Sequence, residues 1–190
     1  MFCASSPGVD KVYFDMAGRL AHELAKNNIA ISYGGGGVGL MGKIADEILS
    51  VGGMITGYIP VFMKEMEWAH PGVQDMVLVR DMHERKYRML KNVDAVITLP
   101  GGVGTMDELM EVITLKQLGQ FVKPIIILNT NNFYDPLFSL LNRMIVEKFM
   151  RDIHGDIWSI IHEPEEVIDA IHQSPPWDGN ALKFAAVQKH

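Results

Sequence analysis

The sequence predicts an α/β domain in which a parallel sheet is wound on both faces by helices. Three observations predict it. Apolar runs of strand length alternate with amphipathic stretches along most of the 190 residues. Most of those runs are solidly apolar instead of alternating apolar and polar, as expected of strands covered on both faces. Polar or glycine-rich clusters follow four of the runs directly, where the carboxyl ends of parallel strands would lie. Strand–helix alternation in this order specifies a Rossmann-like, doubly wound parallel sheet in a single domain.

The elements follow in chain order. Met1–Ala4 is a very short apolar run, and the chain is expected to begin partway through this first strand. Asp10–Lys26 is amphipathic and reads as a helix. Ile29–Tyr33 is apolar and runs straight into four glycines, and the amphipathic stretch Leu40–Leu49 comes after them. Met54–Ile59 and Met76–Val79 are the next strands, and Glu84–Lys91 is the next helix. Ala95–Leu99 leads into Pro100-Gly101-Gly102-Val103-Gly104-Thr105, and Thr105–Leu118 is helical. Pro124–Leu128, Pro136–Phe149, Ile157–Ile161 and Pro164–Ile171 complete the alternation. The pattern is lost after Ser174. Residues 1–173 therefore read as the domain and 174–190 as a peripheral tail.

Composition excludes several classes. Formal net charge is −6, without the basic excess of a nucleic-acid or membrane-surface binder. No apolar run is long enough to span a bilayer, and no signal-peptide pattern is present. Cys3 is the only cysteine, so no intramolecular disulfide forms, and a reducing, cytoplasmic location is expected. Cys3 itself reads as a small buried hydrophobe. The seven histidines show no metal-ligand spacing, and neither a metal nor a cofactor is expected.

The four clusters are Ser5–Gly8, Gly34–Gly37, Asp81–Lys86 and Pro100–Glu108, all expected on one edge of the sheet. Gly37-Val38-Gly39-Leu40-Met41-Gly42 fits the dinucleotide fingerprint. However, the next strand ends without the acid that would hold the ribose. Gly37–Lys43 approximates a P-loop, but Ile44 stands where Ser or Thr would hold magnesium. This loop therefore reads as a tight turn allowing close backbone approach. The loop at 101–105 has the strand–glycine–helix form of a phosphate site, with bare N–H groups and the helix dipole favouring an anion. Glu108 is unusual there, because a carboxylate near a phosphate costs Coulomb energy unless it serves the rest of the ligand. Thr105-x-x-Glu108 also matches a capping box, in which Glu108 would fold back on its own helix start. Arg85 and Lys86 are expected in the first turn of their helix, a placement that suits a nearby anion.

At Met82-His83-Glu84-Arg85-Lys86 and Pro100-Gly101-Gly102-Val103-Gly104-Thr105-Met106-Asp107-Glu108 the chain resembles the LONELY GUY family, the cytokinin riboside 5'-monophosphate phosphoribohydrolases often labelled "possible lysine decarboxylase". Phe2–Ser6 and Tyr33–Gly42 match further family segments, and the similarity spans residues 1 to about 170. Two departures are an Asp at 107 where many members have Glu, and the short N-terminus. The decarboxylase label finds no pyridoxal-phosphate lysine site.

The resemblance implies hydrolysis of the N-glycosidic bond of an AMP-like nucleoside 5'-monophosphate to free base and ribose 5-phosphate, an N-glycosidase activity of the EC 3.2.2 type. It implies catalytic roles for Arg85 and Glu108. It also implies substrate contacts from Arg85, Lys86, Gly102, Val103, Gly104, Thr105, Met106, Asp107 and Glu108, with Glu67 and Thr114 in addition. A homodimer is implied as well. Two other functions fit the glycine loops: a non-catalytic nucleotide or phospho-cofactor carrier, and a general purine nucleotide hydrolase without a hormone role. Arg85 together with Glu108 favours an enzyme over a carrier.

Overall fold

In the computed structural model, residues 1–66 and 68–179 are described, and their six strands form two three-stranded parallel sheets. One sheet has the order β1 (Ile31–Tyr33), β2 (Ile55–Pro60), β3 (Asp75–Val79); the other has β4 (Val96–Thr98), β5 (Ile125–Leu128), β6 (Ser159–Ile161). The N-terminal segment runs between them. Phe2 makes a parallel bridge to Thr98, its N–H donates to Ile97 (3.0 Å), and the Met1 ammonium donates to the Ser32 carbonyl (2.5 Å). The expected Met1–Ala4 strand thus survives as one bridge that joins the two halves.

Among the described residues seven α-helices flank the sheets: α1 (Lys11–Lys26), α2 (Gly39–Ser50), α3 (Val61–Glu65), α4 (Met82–Leu90), α5 (Val103–Gln117), α6 (Asp135–Val146) and α7 (Val167–Gln173). The apolar runs are explained by β5. Ile126 and Leu128 face one core cluster with Leu20, Leu24, Ile44 and Ile48 of α1 and α2. Ile125 and Ile127 face a second with Leu109, Val112 and Ile113 of α5. Alternate residues point to opposite faces of a strand, so a strand with helices on both sides must be apolar throughout.

Differences from the expected boundaries have local causes. The α4 helix begins at Met82 because the Asp81 carboxylate accepts the Glu84 N–H (2.8 Å). Arg85 is therefore the fourth helical residue, its N–H already bonded to the Asp81 carbonyl, and not a member of the unbonded first turn. The end of α6 is Val146, and two residues later Lys148 takes a positive φ of 67°. Ile157 is buried, but it follows a 3₁₀ turn over Asp152–Asp156, and β6 starts only at Ser159. Its burial, not strand pairing, made that run apolar. The short α3 buries none of its residues, so no apolar periodicity announced it. Most of the expected tail lies outside the described residues. Within them, Trp177 donates its indole N–H to the Lys116 carbonyl at 2.6 Å, near the end of α5.

Candidate active site

Strand β4 delivers the chain into Pro100–Gly102, and α5 starts at Val103 with Gly102 as its N-cap residue. No side chain caps this end, and the N–H groups of Val103, Gly104 and Thr105 donate to none of the described residues. They point out of the helix start, as an anion site requires. The three glycines differ in kind. A Cβ on Gly101 would stand 2.1 Å from Thr105 Oγ1, so the buried Thr105 side chain demands that glycine. Around Gly102 and Gly104 a Cβ would meet nothing within 4 Å, and neither has a positive φ. No contact within the described chain requires glycine at these two positions.

Because α5 begins at Val103, Thr105 lies inside the first turn and cannot be the N-cap of a capping box. Glu108 is further in, on the buried side of the helix, and 8% exposed. Among the described residues its carboxylate accepts no hydrogen bond and joins no ion pair. Burial raises its pKa above the ordinary carboxylate value, and nearby Arg85 pulls against that shift. Met106 is half-buried, and Val103 is 87% exposed at the rim.

Arg85 is 7% exposed, and its guanidinium is committed to backbone. Nη2 donates to the Gly34 carbonyl (2.7 Å) at the end of β1, and Nε donates to the Tyr58 carbonyl (3.0 Å) in β2. Gly34 must be glycine, since a Cβ there would sit 2.1 Å from Nη2. Burial pushes the Arg85 pKa down and Glu108 pushes it up. Arginine stays charged regardless, so Glu108 faces a fixed positive neighbour.

Lys86 does not line an open anion site in this arrangement. Its Nζ contacts Asp107 (3.0 Å) and Glu111 (2.7 Å), strapping α4 to α5. Burial works against its charge, and the bonds to Glu111 and Asp107 raise its pKa overall. Thr114 is exposed, donates its hydroxyl to the Met110 carbonyl (2.8 Å), and lies about 9 Å beyond Glu108 along the helix axis. Glu67 lies outside the described residues. Three supporting groups were not foreseen in the sequence. Glu111 is the second anchor of Lys86. Tyr134 donates its hydroxyl to the Leu99 carbonyl (2.7 Å), holding the base of the loop, and the Asn129 side chain accepts the Tyr134 N–H (2.8 Å). Each is a tertiary contact without a local sequence signal.

The four clusters do meet. Ala4 N–H donates to the Pro100 carbonyl, and Met41 N–H to the Ala4 carbonyl. Gly39, at φ +64°, packs so closely that a Cβ would stand 2.5 Å from Ser5 backbone. Arg85 joins the third cluster to Gly34, and Lys86 joins it to Asp107. The helix start at α2 differs from that at α5, since Ala4 already occupies the Met41 N–H. Among the described residues no group of three His, Cys, Asp or Glu side chains could hold a metal ion, and no helix is long and apolar enough to cross a membrane. Cys3 is buried, and burial pushes its thiol up to about 12, which makes it a poor nucleophile at neutral pH.

Comparison with known proteins follows the same residues. The family model described as "Possible lysine decarboxylase" matches residues 41–171, which contain both the Arg85 and the Glu108 segments. The chain belongs to the LONELY GUY family. A probable cytokinin riboside 5'-monophosphate phosphoribohydrolase of Oryza sativa subsp. japonica is 39% identical over 93% of this chain and 72% of its own length. A cytokinin riboside 5'-monophosphate phosphoribohydrolase of Rhodococcoides fascians is 41% identical over 84% of this chain and 87% of its own. Among solved structures, the molybdenum cofactor carrier protein of Chlamydomonas reinhardtii superposes with a TM-score of 0.66 at 16% identity, covering 91% of this chain and 94% of that one. A molybdenum cofactor binding protein of Rippkaea orientalis gives 0.65 at 20% identity, covering 87% and 89%. At that identity the likeness is one of fold. It extends the doubly wound architecture of this LONELY GUY chain to proteins with another ligand.

Proposed function

We propose that the chain is a nucleoside 5'-monophosphate phosphoribohydrolase, cleaving the N-glycosidic bond of AMP or N6-modified AMP to free base and ribose 5-phosphate. The observation that carries this is the buried Glu108 carboxylate, without a hydrogen bond among the described residues, beside an open helix start. Burying such a group without a partner costs stability, and a carrier that only gripped a phosphate would gain nothing from it. Glycosidic cleavage builds positive charge on the sugar ring, and a carboxylate is the group that stabilises it.

In this reading the 5'-phosphate sits on the N–H groups of Val103, Gly104 and Thr105, in the space that Gly102 and Gly104 leave open. Glu108, further along α5, faces the ribose and stabilises the oxocarbenium-like state. Arg85 is a fixed positive neighbour that favours the ionised form of Glu108 against the pull of burial. Lys86 contributes by holding Asp107 and α4 against α5. Glu67 and Thr114 remain proposed substrate contacts by resemblance. The same resemblance supports a homodimer, and the exposed Val61 and Phe62 of α3 offer apolar surface for one. It also supports a cytoplasmic enzyme. The domain is proposed to end at residue 173, with 174–190 peripheral.

Incubating the protein with AMP, isopentenyl-AMP, GMP and CMP and measuring free base tests this reading. Base release from the adenine nucleotides, lost in Glu108→Ala, is expected. Turnover by Glu108→Ala near that of the unmodified chain would overturn the assignment, and AMP binding without base release would favour the carrier.

A further inference from the structure

The first glycine loop fits no nucleotide-binding motif, yet it is held on both sides. On one side Gly34 receives the Arg85 guanidinium at 2.7 Å. On the other, three consecutive residues grip the segment 68–70. Gly35 accepts the His70 N–H (2.9 Å), Gly36 bridges Ala69 in antiparallel fashion, and Gly37 donates to the Trp68 carbonyl (3.0 Å). The approach is close enough that a Cβ on Gly37 would lie 3.1 Å from His70 Cα. Gly35 takes a φ of +75°, which a side chain rarely tolerates.

His70 pins the segment further. Its buried ring accepts the Gly72 N–H at Nδ1 (3.1 Å), which leaves Nε2–H to donate to Asp46 of α2 (3.1 Å). Trp68 is therefore anchored through its carbonyl to Gly37 and through its N–H to the Met63 carbonyl (3.2 Å). Trp68 itself, however, remains 51% exposed and belongs to neither core cluster. Three residues of extended chain span at most about 11 Å, so Gly34 and Gly37 are no further apart than that. Trp68, one hydrogen bond beyond Gly37, is thereby kept within reach of a nucleotide that extends from the Arg85 side of the loop. A backbone anchored at three successive residues and carrying an exposed aromatic residue suits stacking on a planar ring.

We propose that Trp68 is the platform on which the base of the nucleotide stacks, and that the first glycine loop exists to hold it in register with Arg85. The inference rests on the phosphoribohydrolase reading above. Stacking on an aromatic is sequence-tolerant, so Trp68 would favour large planar bases over small ones and leave the hydrogen-bond choice to other groups.

The test is steady-state AMP hydrolysis, with ribose 5-phosphate as a competitive inhibitor, for the unmodified chain, Trp68→Ala and Trp68→Phe. Trp68→Ala is expected to raise the KM for AMP roughly tenfold with kcat little changed, the signature of lost uniform binding. The inhibition constant of ribose 5-phosphate, which has no base, should stay the same, and Trp68→Phe should recover most of the affinity. An unchanged KM in Trp68→Ala, or a parallel loss of ribose 5-phosphate affinity, would overturn the proposal. If the unmodified chain releases no base from AMP, the phosphoribohydrolase reading fails first and this inference fails with it. That outcome is decided by the unmodified chain alone.

Discussion

Arg85 and Glu108 are buried neighbours that shift each other's ionisation, yet they do not form an ion pair. The guanidinium is spent on the carbonyls of Gly34 and Tyr58, and among the described residues the carboxylate accepts no hydrogen bond. Had the two closed on each other, the site would be stable and inert. Held apart, Arg85 supplies field without consuming the lone pairs of Glu108. Those lone pairs stay available to a developing cation.

Glu108→Gln should lose activity and gain stability together. Loss of one positioned charge from such a site costs on the order of 10²-fold or more in kcat. The sign on stability follows from linkage. The folded pKa of Glu108 lies above the ordinary 4.5, so the unfolded chain releases its proton first as pH rises. Stability therefore falls from about 4.5 up to the raised value, and that fall should vanish in Glu108→Gln. Thermal denaturation across pH 4–8 reads the effect. A Glu108→Gln variant less stable than its parent at pH 7 would contradict it.

Activity should show an acid limb displaced above the ordinary carboxylate range, since ionised Glu108 is the working form. The profile of kcat/KM against pH checks this. A limb at the ordinary carboxylate value would mean that another group controls the reaction.

Arg85→Lys should fail to rescue Arg85→Ala. An ammonium cannot reproduce the forked donation to two separate carbonyls. Leaving one carbonyl unpaired costs about 1–3 kcal/mol, readable as a lower urea midpoint, alongside loss of most hydrolysis. Full activity in Arg85→Lys would show that charge alone suffices.

Gly104→Ala and Gly101→Ala should separate binding from folding. At Gly104 an added methyl meets open space inside a helix, and stability should hold or rise by up to about 1 kcal/mol while AMP affinity drops. At Gly101 the methyl collides with the buried, β-branched Thr105, which should cost about 1–3 kcal/mol. Melting temperatures and AMP titrations of the two variants decide it. Unchanged affinity in Gly104→Ala would remove the phosphate from the helix start.

Lys116 should give stability a distinct alkaline slope. Burial lowers its pKa from 10.5 to about 8, and among the described residues its Nζ donates to the Lys123 carbonyl (3.0 Å) and lies over the face of Trp177. Between those two values the unfolded chain binds the proton more tightly, so stability rises with pH there. Urea midpoints from pH 7.5 to 10 should rise by this contribution, and Lys116→Met should flatten the rise.

Fold class was legible because strands covered on both faces must be continuously apolar, as Ile125–Leu128 shows. The loop from Pro100 to Glu108 was legible because glycines before a helix, after an apolar run, leave few structural options. Start points of α4 and α5 were missed by two residues each, since capping and backbone bonds, not side-chain periodicity, set them. The sequence also left two meanings for Thr105-x-x-Glu108. Only the tertiary structure excluded the capping box, by starting the helix at Val103.

By itself the sequence determined the alternation of elements, the edge on which the polar clusters gather, and the family to which the paired motifs belong. These are properties of residue order and local chemistry. The tertiary structure decided what each polar side chain touches. It bound Arg85 to backbone, paired Lys86 with Asp107 and Glu111, and left Glu108 without a hydrogen bond among the described residues. It also turned the first glycine loop into a clamp for residues 68–70. Such contacts join residues far apart in the chain, and their distances depend on how the two sheets and their helices pack, which no local pattern encodes.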